Sequence, residues 1–219
     1  MQSSLTTLKH YIATQKQQEP MVVKQAYASE QQNKLHGAIK INAAQPADAL
    51  LLFISEYIDS VPDYIHGLHC LAEETGISDY IQPLLILSCS YFVAPPDIIQ
   101  DYSGLQGLLH SAYLAHRLIE EMNDQVMNVC GAPLAKMDMS MANIVCHSMI
   151  GDELANQLDH LVLLTIETTT ASKDTLKREA VKKHMQQRQF KGWEDVLQQW
   201  PCFAKDYAIH LQLGHSSLH

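Results

Sequence analysis

Histidines and carboxylates at helical spacing are the residues of this chain that could do chemistry. His116, Glu120 and Asp124 follow one another at intervals of four, which places them along one face of a helix. His69 and Glu73 have the same spacing. Neutral imidazole and carboxylate groups are ligands that Zn, Fe or Mn accept. Each set is therefore interpreted either as part of a divalent-metal site or as an ordinary pair on a helix surface.

Two polar residues fall on the apolar side of a second predicted helix, over residues 141–166. Asn143 and His147 share that side with Ile150 and several leucines, so the helix would bury both. A buried amide or imidazole needs a hydrogen-bond partner, which for His147 would be a backbone carbonyl or a tyrosine. The alternative is a metal site between the 105–129 and 141–166 helices, formed by His116, Glu120, Asp124 and His147. Other faces of the helix carry residues expected to be solvated, which are Glu153, Asp159 and His160.

The common catalytic motifs are absent. The chain contains no G-x-S-x-G, no P-loop and no G-x-G-x-x-G segment. The Glu-x-x-His pairs of di-iron bundles are missing. The segment from Glu120 to Asp124 is acidic but lacks the three-carboxylate spacing, such as D-D-x-x-D, of terpene-synthase-like enzymes. No reaction class follows from the sequence.

The pattern of apolar residues predicts an all-α fold. Apolar residues recur at helical spacing along the chain, and no segment alternates between apolar and polar residues as a β-strand would. A length of 219 residues suits one core, so we expect a single-domain multi-helix bundle with peripheral terminal helices. Its regions are a polar helical extension over 1–46, a bundle core over 47–170, and basic helices over 171–219 that pack on the core.

Charge is distributed unevenly along these regions. Residues 1–46 hold five Lys and two Glu, residues 47–170 hold seventeen acids and two basic residues, and residues 171–219 hold eight basic residues and five acids. An acidic core repels phosphate backbones, so nucleic acid is not expected as a partner. We predict a binding or interaction module that contacts another protein or a second copy of itself. The alternative function is a metal-dependent helical-bundle enzyme at the His/carboxylate site.

Compartment and membrane relation are also predicted. The longest strongly apolar run, over 83–93, is about half of what a transmembrane helix needs. The five cysteines are scattered without a CxxC pair and no export signal is visible, so we expect reduced thiols and a cytoplasmic protein. A basic helix over 173–190 raises the alternative of peripheral membrane contact, but its apolar face is small, so that contact is not favoured.

One segment of unusual composition, 97–111, is interpreted as a structural corner. Asp97 and Asp101 follow a double proline, where carboxylates accept backbone N–H groups at a turn or helix start. Gly104 and Gly107 allow backbone angles or close packing that a Cβ would hinder. His110 lies away from His116 around the following helix, so the two are not expected to share a site.

A longer stretch that contains this corner, 91–117, resembles the core signature of the YkvA-like bacterial domain of unknown function. The matching positions are Pro96, Asp97, Ile98, Ile99, Asp101, Gly104, Gly107, Leu108 and Leu109. Gln100 stands where that family usually has proline, and His110 and Ser111 replace its usual acidic pair. The resemblance implies a helical fold and no particular activity.

Overall fold

The computed structural model describes residues 2–135, 139–169, 173–189 and 203–212. In that part of the chain the structure is all-α apart from two short strands, which confirms the predicted fold class. The elements are α1 (Gln2–Gln18), α2 (Met21–Lys34), β1 (Ile39–Ile41), α3 (Pro46–Asp59), α4 (Val61–Thr75), α5 (Ser78–Val93), a 3-10 turn (Asp97–Ile99), α6 (Gly104–Cys130), α7 (Ser140–Ile150), α8 (Asp152–Thr168), α9 (Lys173–Leu176), α10 (Glu179–Gln189), α11 (Phe203–Asp206) and β2 (Ile209–Leu211).

Helix α6 lies at the centre of the fold. It contacts α1, α3, α5, α7 and α8, so nearly every side of its first half is covered. Small residues such as Ala112 and Ala115 alternate with Leu114 and Leu118, and all four are buried. A helix that is covered all round must also bury its polar residues, which is why His110 and His116 lie inside the protein.

Two segments far apart in the chain meet in a small antiparallel sheet that was not predicted from the sequence. Ile39 of β1 pairs with Leu211 of β2, and Ile41 pairs with Ile209. Each strand has three residues, which is too short to show a period of two. The sheet ties the N-terminal region to the C-terminal region beside α7.

The predicted helix over 141–166 is wrong as a single element. It is divided into α7 and α8 at Gly151, whose backbone has φ 90° and ψ 143°. Glycine adopts such positive φ values at little cost, whereas a residue with a Cβ does so rarely. The break changes the direction of the chain, so the faces assigned on one continuous helix do not hold beyond Ile150.

The basic helix predicted over 173–190 is also divided, into α9 and α10. Its apolar residues Leu176, Val181 and Met185 are buried, and the two helices pack against α4, α5 and α6. The C-terminal end of that prediction and the segments around Pro201 lie outside the described residues. No described helix is long and apolar enough to span a membrane.

The corner before α6 is held by a residue from elsewhere in the chain. The carboxylates of Asp97 and Asp101 are exposed and accept no hydrogen bond from the described residues. Instead, Oε2 of Glu19 accepts a hydrogen bond of 3.0 Å from the backbone N–H of Leu105. Gly104 has φ 60°, and a carboxylate at a helix N-terminus is favoured by the helix dipole. The start of α6 is therefore capped from the segment between α1 and α2.

Replacing Gly107 with alanine should lower the free energy of unfolding by about 1 kcal/mol. A Cβ at this position would lie 2.6 Å from the backbone oxygen of Tyr102, so the corner must shift, which outweighs the helix propensity that alanine adds. Urea unfolding measures the change. At Gly37 no heavy atom lies within 4 Å of the added Cβ, so Gly37→Ala is the matched control. A Gly107→Ala protein as stable as the unmodified chain would contradict the close packing.

Candidate functional site

A cavity of about 470 Å³ lies where α6, α7 and α8 approach the small sheet. One wall is apolar and includes Ile39, Ile144 and Leu211. The polar wall includes Tyr113, Arg117, Glu120, Asn143, His147 and Asp159. A concave site with one apolar wall and a few convergent polar groups is typical of small-molecule binding.

Helical spacing places the polar residues along the cavity. On α6, Tyr113, Arg117 and Glu120 are separated by four and three positions, which aligns them on one face. On α7, Asn143 and His147 are separated by four positions and line the same cavity. Because α6 and α7 pack together, the two rows of side chains face each other.

Arg117 is the centre of the polar wall. Its Nε donates a hydrogen bond of 2.9 Å to Oδ1 of Asp159, and its Nη1 donates to Oε2 of Glu120. Burial alone would lower the pKa of Arg117, but the hydrogen bond to Asp159 and the charge of Glu120 raise that pKa above its ordinary value. One guanidinium thus holds carboxylates from two helices.

Glu120 extends this network into the core. Nδ2 of Asn143 donates a hydrogen bond of 2.7 Å to Oε2 of Glu120. The Oδ1 atom of Asn143 accepts one of 2.7 Å from the hydroxyl of Tyr57, which is fully buried. Burial raises the pKa of Tyr57 well above its ordinary value, so this hydroxyl keeps its proton. Both the amide oxygen and the amide nitrogen of Asn143 therefore have partners.

His147 is oriented by a tyrosine and a carboxylate. The Tyr113 hydroxyl donates a hydrogen bond of 3.0 Å to Oδ1 of Asp159. Burial, and to a smaller extent the negative charge of Asp159, raises the pKa of Tyr113. Nδ1 of His147 lies 3.1 Å from the same hydroxyl. Since the single hydrogen of Tyr113 goes to Asp159, Nδ1 of His147 carries a proton and donates it to the tyrosine oxygen. The other ring nitrogen, Nε2, lies 3.4 Å from Oδ1 of the exposed Asp152.

His116, in contrast, belongs to the core. Its Nε2 lies 2.8 Å from the backbone oxygen of Tyr57 and 3.5 Å from Oγ of Ser60. The rings of Tyr57 and Tyr64 pack against it, and its Nδ1 has no hydrogen-bond partner among the described residues. Burial lowers the pKa of His116 to about 4. The imidazole is therefore neutral at neutral pH.

The predicted metal site is not assembled in the described part of the chain. Glu120 and His147 line the cavity, but His116 lies beside Tyr57 and Asp124 is exposed. No three His, Cys, Asp or Glu side chains among the described residues are arranged to hold a metal ion. The physical reason is that Tyr57 of α3 fills the space next to His116, while Arg117 engages the carboxylate of Glu120.

The remaining predicted pairs lie elsewhere. Nε2 of His69 is 3.5 Å from Oε1 of Glu73, a one-turn pair along α4. His110 is buried edge-on against the ring of Tyr102, with centroids 4.4 Å apart. It contacts a different tyrosine from His116, so the two histidines occupy separate places on α6.

Three residues of the polar wall were not predicted from the sequence: Tyr113, Arg117 and Asp159. Asp159 was expected to be solvated, but its side chain is only 26% exposed and is hydrogen-bonded to the other two. A signal for Arg117 was present, because it is one of two basic residues among the seventeen acids of 47–170. A basic residue in a helical region with such an excess of acids is expected to pair with carboxylates.

No family model, no curated protein and no solved structure matches this chain. The resemblance of 91–117 to the YkvA-like domain therefore stays a prediction. Fold and site together define an all-α, multi-helix protein with a cavity between three helices and a small terminal sheet.

Proposed function

We propose that this chain is a binding protein whose ligand is a small molecule held in the cavity between α6, α7 and α8. The observation that carries this proposal is the connected polar wall, in which Arg117 links Glu120 to Asp159 and Tyr113 links Asp159 to His147. Side chains that are already hydrogen-bonded to one another lose little conformational freedom when a ligand arrives. The cavity volume of about 470 Å³ falls within the range of about 300–1,000 Å³ that small-molecule sites occupy.

The metal-dependent enzyme is the weaker proposal. Oε2 of Glu120 and Oδ1 of Asp159 already accept hydrogen bonds from Arg117. His116 and Asp124 do not line the cavity, so the described residues offer a metal ion too few ligands there. For the compartment we propose the cytoplasm, which agrees with the free thiols of the described cysteines, Cys70, Cys89, Cys130 and Cys146. Contact with another protein or a second copy of the chain stays a proposal that rests on the charge distribution.

Placing a larger side chain in the cavity should weaken small-molecule binding at least about tenfold. Ile144 lines the cavity and is 44% exposed, so Ile144→Trp would occupy the space without disturbing the core. We expect fragments that show saturation-transfer NMR signals with the unmodified chain to lose at least about tenfold in affinity, or about 1.4 kcal/mol. Leu163→Trp is the matched control, because Leu163 is similarly exposed and does not line the cavity. Equal binding to both variants would contradict the proposal.

A further inference from the structure

We propose that the ligand of this cavity is an organic ammonium ion with an apolar body. This inference rests on the proposed binding function and names the chemical class of its ligand. Three observations carry it: the charge balance of the cavity wall, the carboxylate oxygens that the polar network leaves without a hydrogen bond, and the apolar side chains that line the same cavity.

The charge balance of the cavity favours a cation. Among the described residues that line it, Arg117 is the fixed positive charge, and Glu120, Asp152 and Asp159 are the negative ones. These four side chains therefore give the wall two more negative than positive charges. In a partly desolvated cavity such an excess attracts a cationic ligand and repels an anionic one.

The hydrogen-bond pattern points the same way. Arg117 already directs Nε and Nη1 to carboxylates, so an anion would have to compete with Glu120 and Asp159 for its guanidinium. On the acceptor side, Oε1 of Glu120 accepts no hydrogen bond from the described residues. Oδ2 of Asp159 also accepts none, and Nδ1 of His147 lies 3.7 Å from it. An ammonium group has three N–H donors for acceptors of this kind.

The apolar wall defines the rest of the ligand. Ile39 and Leu211, which are paired across the small sheet, face the cavity together with Ile144. These side chains offer no hydrogen bonds, so the part of the ligand against them gains by burying hydrocarbon. An amine with an aliphatic or aromatic body matches both walls at once.

Three probes of nearly equal shape test this inference: 2-phenylethylammonium, 2-phenylethanol and 3-phenylpropanoate. Their affinities are measured by isothermal titration calorimetry at low ionic strength. We expect the ammonium ion to bind at least about tenfold more tightly than the alcohol, and the carboxylate to bind most weakly. An alcohol or carboxylate that binds as tightly as the ammonium ion overturns the inference and leaves the cavity function standing.

A pair of charge variants adds a second measurement. Asp152 is 90% exposed, so Asp152→Asn removes a cavity charge without disturbing the fold. This variant should lower the affinity for 2-phenylethylammonium about three- to tenfold and leave the affinity for 2-phenylethanol unchanged. Its exposed neighbour Glu153 does not line this cavity, so Glu153→Gln should change the affinity for neither probe. An equal loss for both probes in Asp152→Asn overturns the inference. If no probe binds, or if binding survives Ile144→Trp, the proposed function fails and this inference fails with it.

Discussion

Replacing Arg117 with methionine is expected to lower the free energy of unfolding by about 2–4 kcal/mol. The substitution removes the guanidinium that Glu120 and Asp159 share in the unmodified chain, so both partly buried carboxylates lose their ion pair with Arg117. The side chains of the three residues are 29%, 22% and 26% exposed, in the order Arg117, Glu120, Asp159, so solvent reduces the effect below that of a fully buried pair. Urea unfolding followed by far-ultraviolet circular dichroism measures the change.

Two further variants isolate the electrostatic cause. In the double variant Arg117→Met with Glu120→Gln, one of the two unpaired carboxylates is removed, so the loss should be clearly smaller than the sum of the single losses. Arg178 is exposed on the turn between α9 and α10, and Arg178→Met should change stability by less than about 0.5 kcal/mol. Additive single losses would show that Arg117 acts through packing of its hydrocarbon stem instead of through its charge.

Lowering the pH from about 7.5 to about 4.5 should reduce the free energy of unfolding. Each of two buried histidines, His116 and His110, should contribute about 2–3 kcal/mol to this loss. Burial lowers the pKa of His116, and of His110, from an ordinary value of 6.5 to about 4. Between pH 6.5 and 4 the unfolded chain therefore binds protons that the folded chain does not. Stability is full above pH 6.5 and falls as the pH drops through this window.

Unfolding at several pH values checks this dependence on His116 directly. Glutamine keeps a hydrogen-bond donor near the backbone oxygen of Tyr57 but does not titrate in this pH range. The free energy of unfolding of His116→Gln should therefore depend less steeply on pH, whatever its value near pH 7.5. His10 is exposed on α1, and His10→Gln should keep the full slope. A His116→Gln protein with an unchanged slope would show that His116 does not contribute to the acid sensitivity.

Local periodicity was enough to predict much of this protein. The all-α class, the helix that begins near Leu105 and the inward face with Asn143 and His147 all depend on the spacing of apolar residues, which the chain carries within single helices. The sequence also predicted that a polar partner must meet His147, because a buried imidazole without one is unfavourable. That partner is Tyr113, one of the two kinds that the sequence allowed.

The identity of the site was decided by tertiary packing. Gly151 divides the predicted 141–166 helix, and this break brings Asp159 to Arg117 and Tyr113. Tyr57 comes from a helix about sixty residues earlier and takes His116 out of the site. Helical spacing relates residues within one element, whereas contacts between elements depend on chain direction and packing, which no single helix encodes. The sequence by itself therefore determined which side chains each helix presents, and only the tertiary structure decided which of them meet.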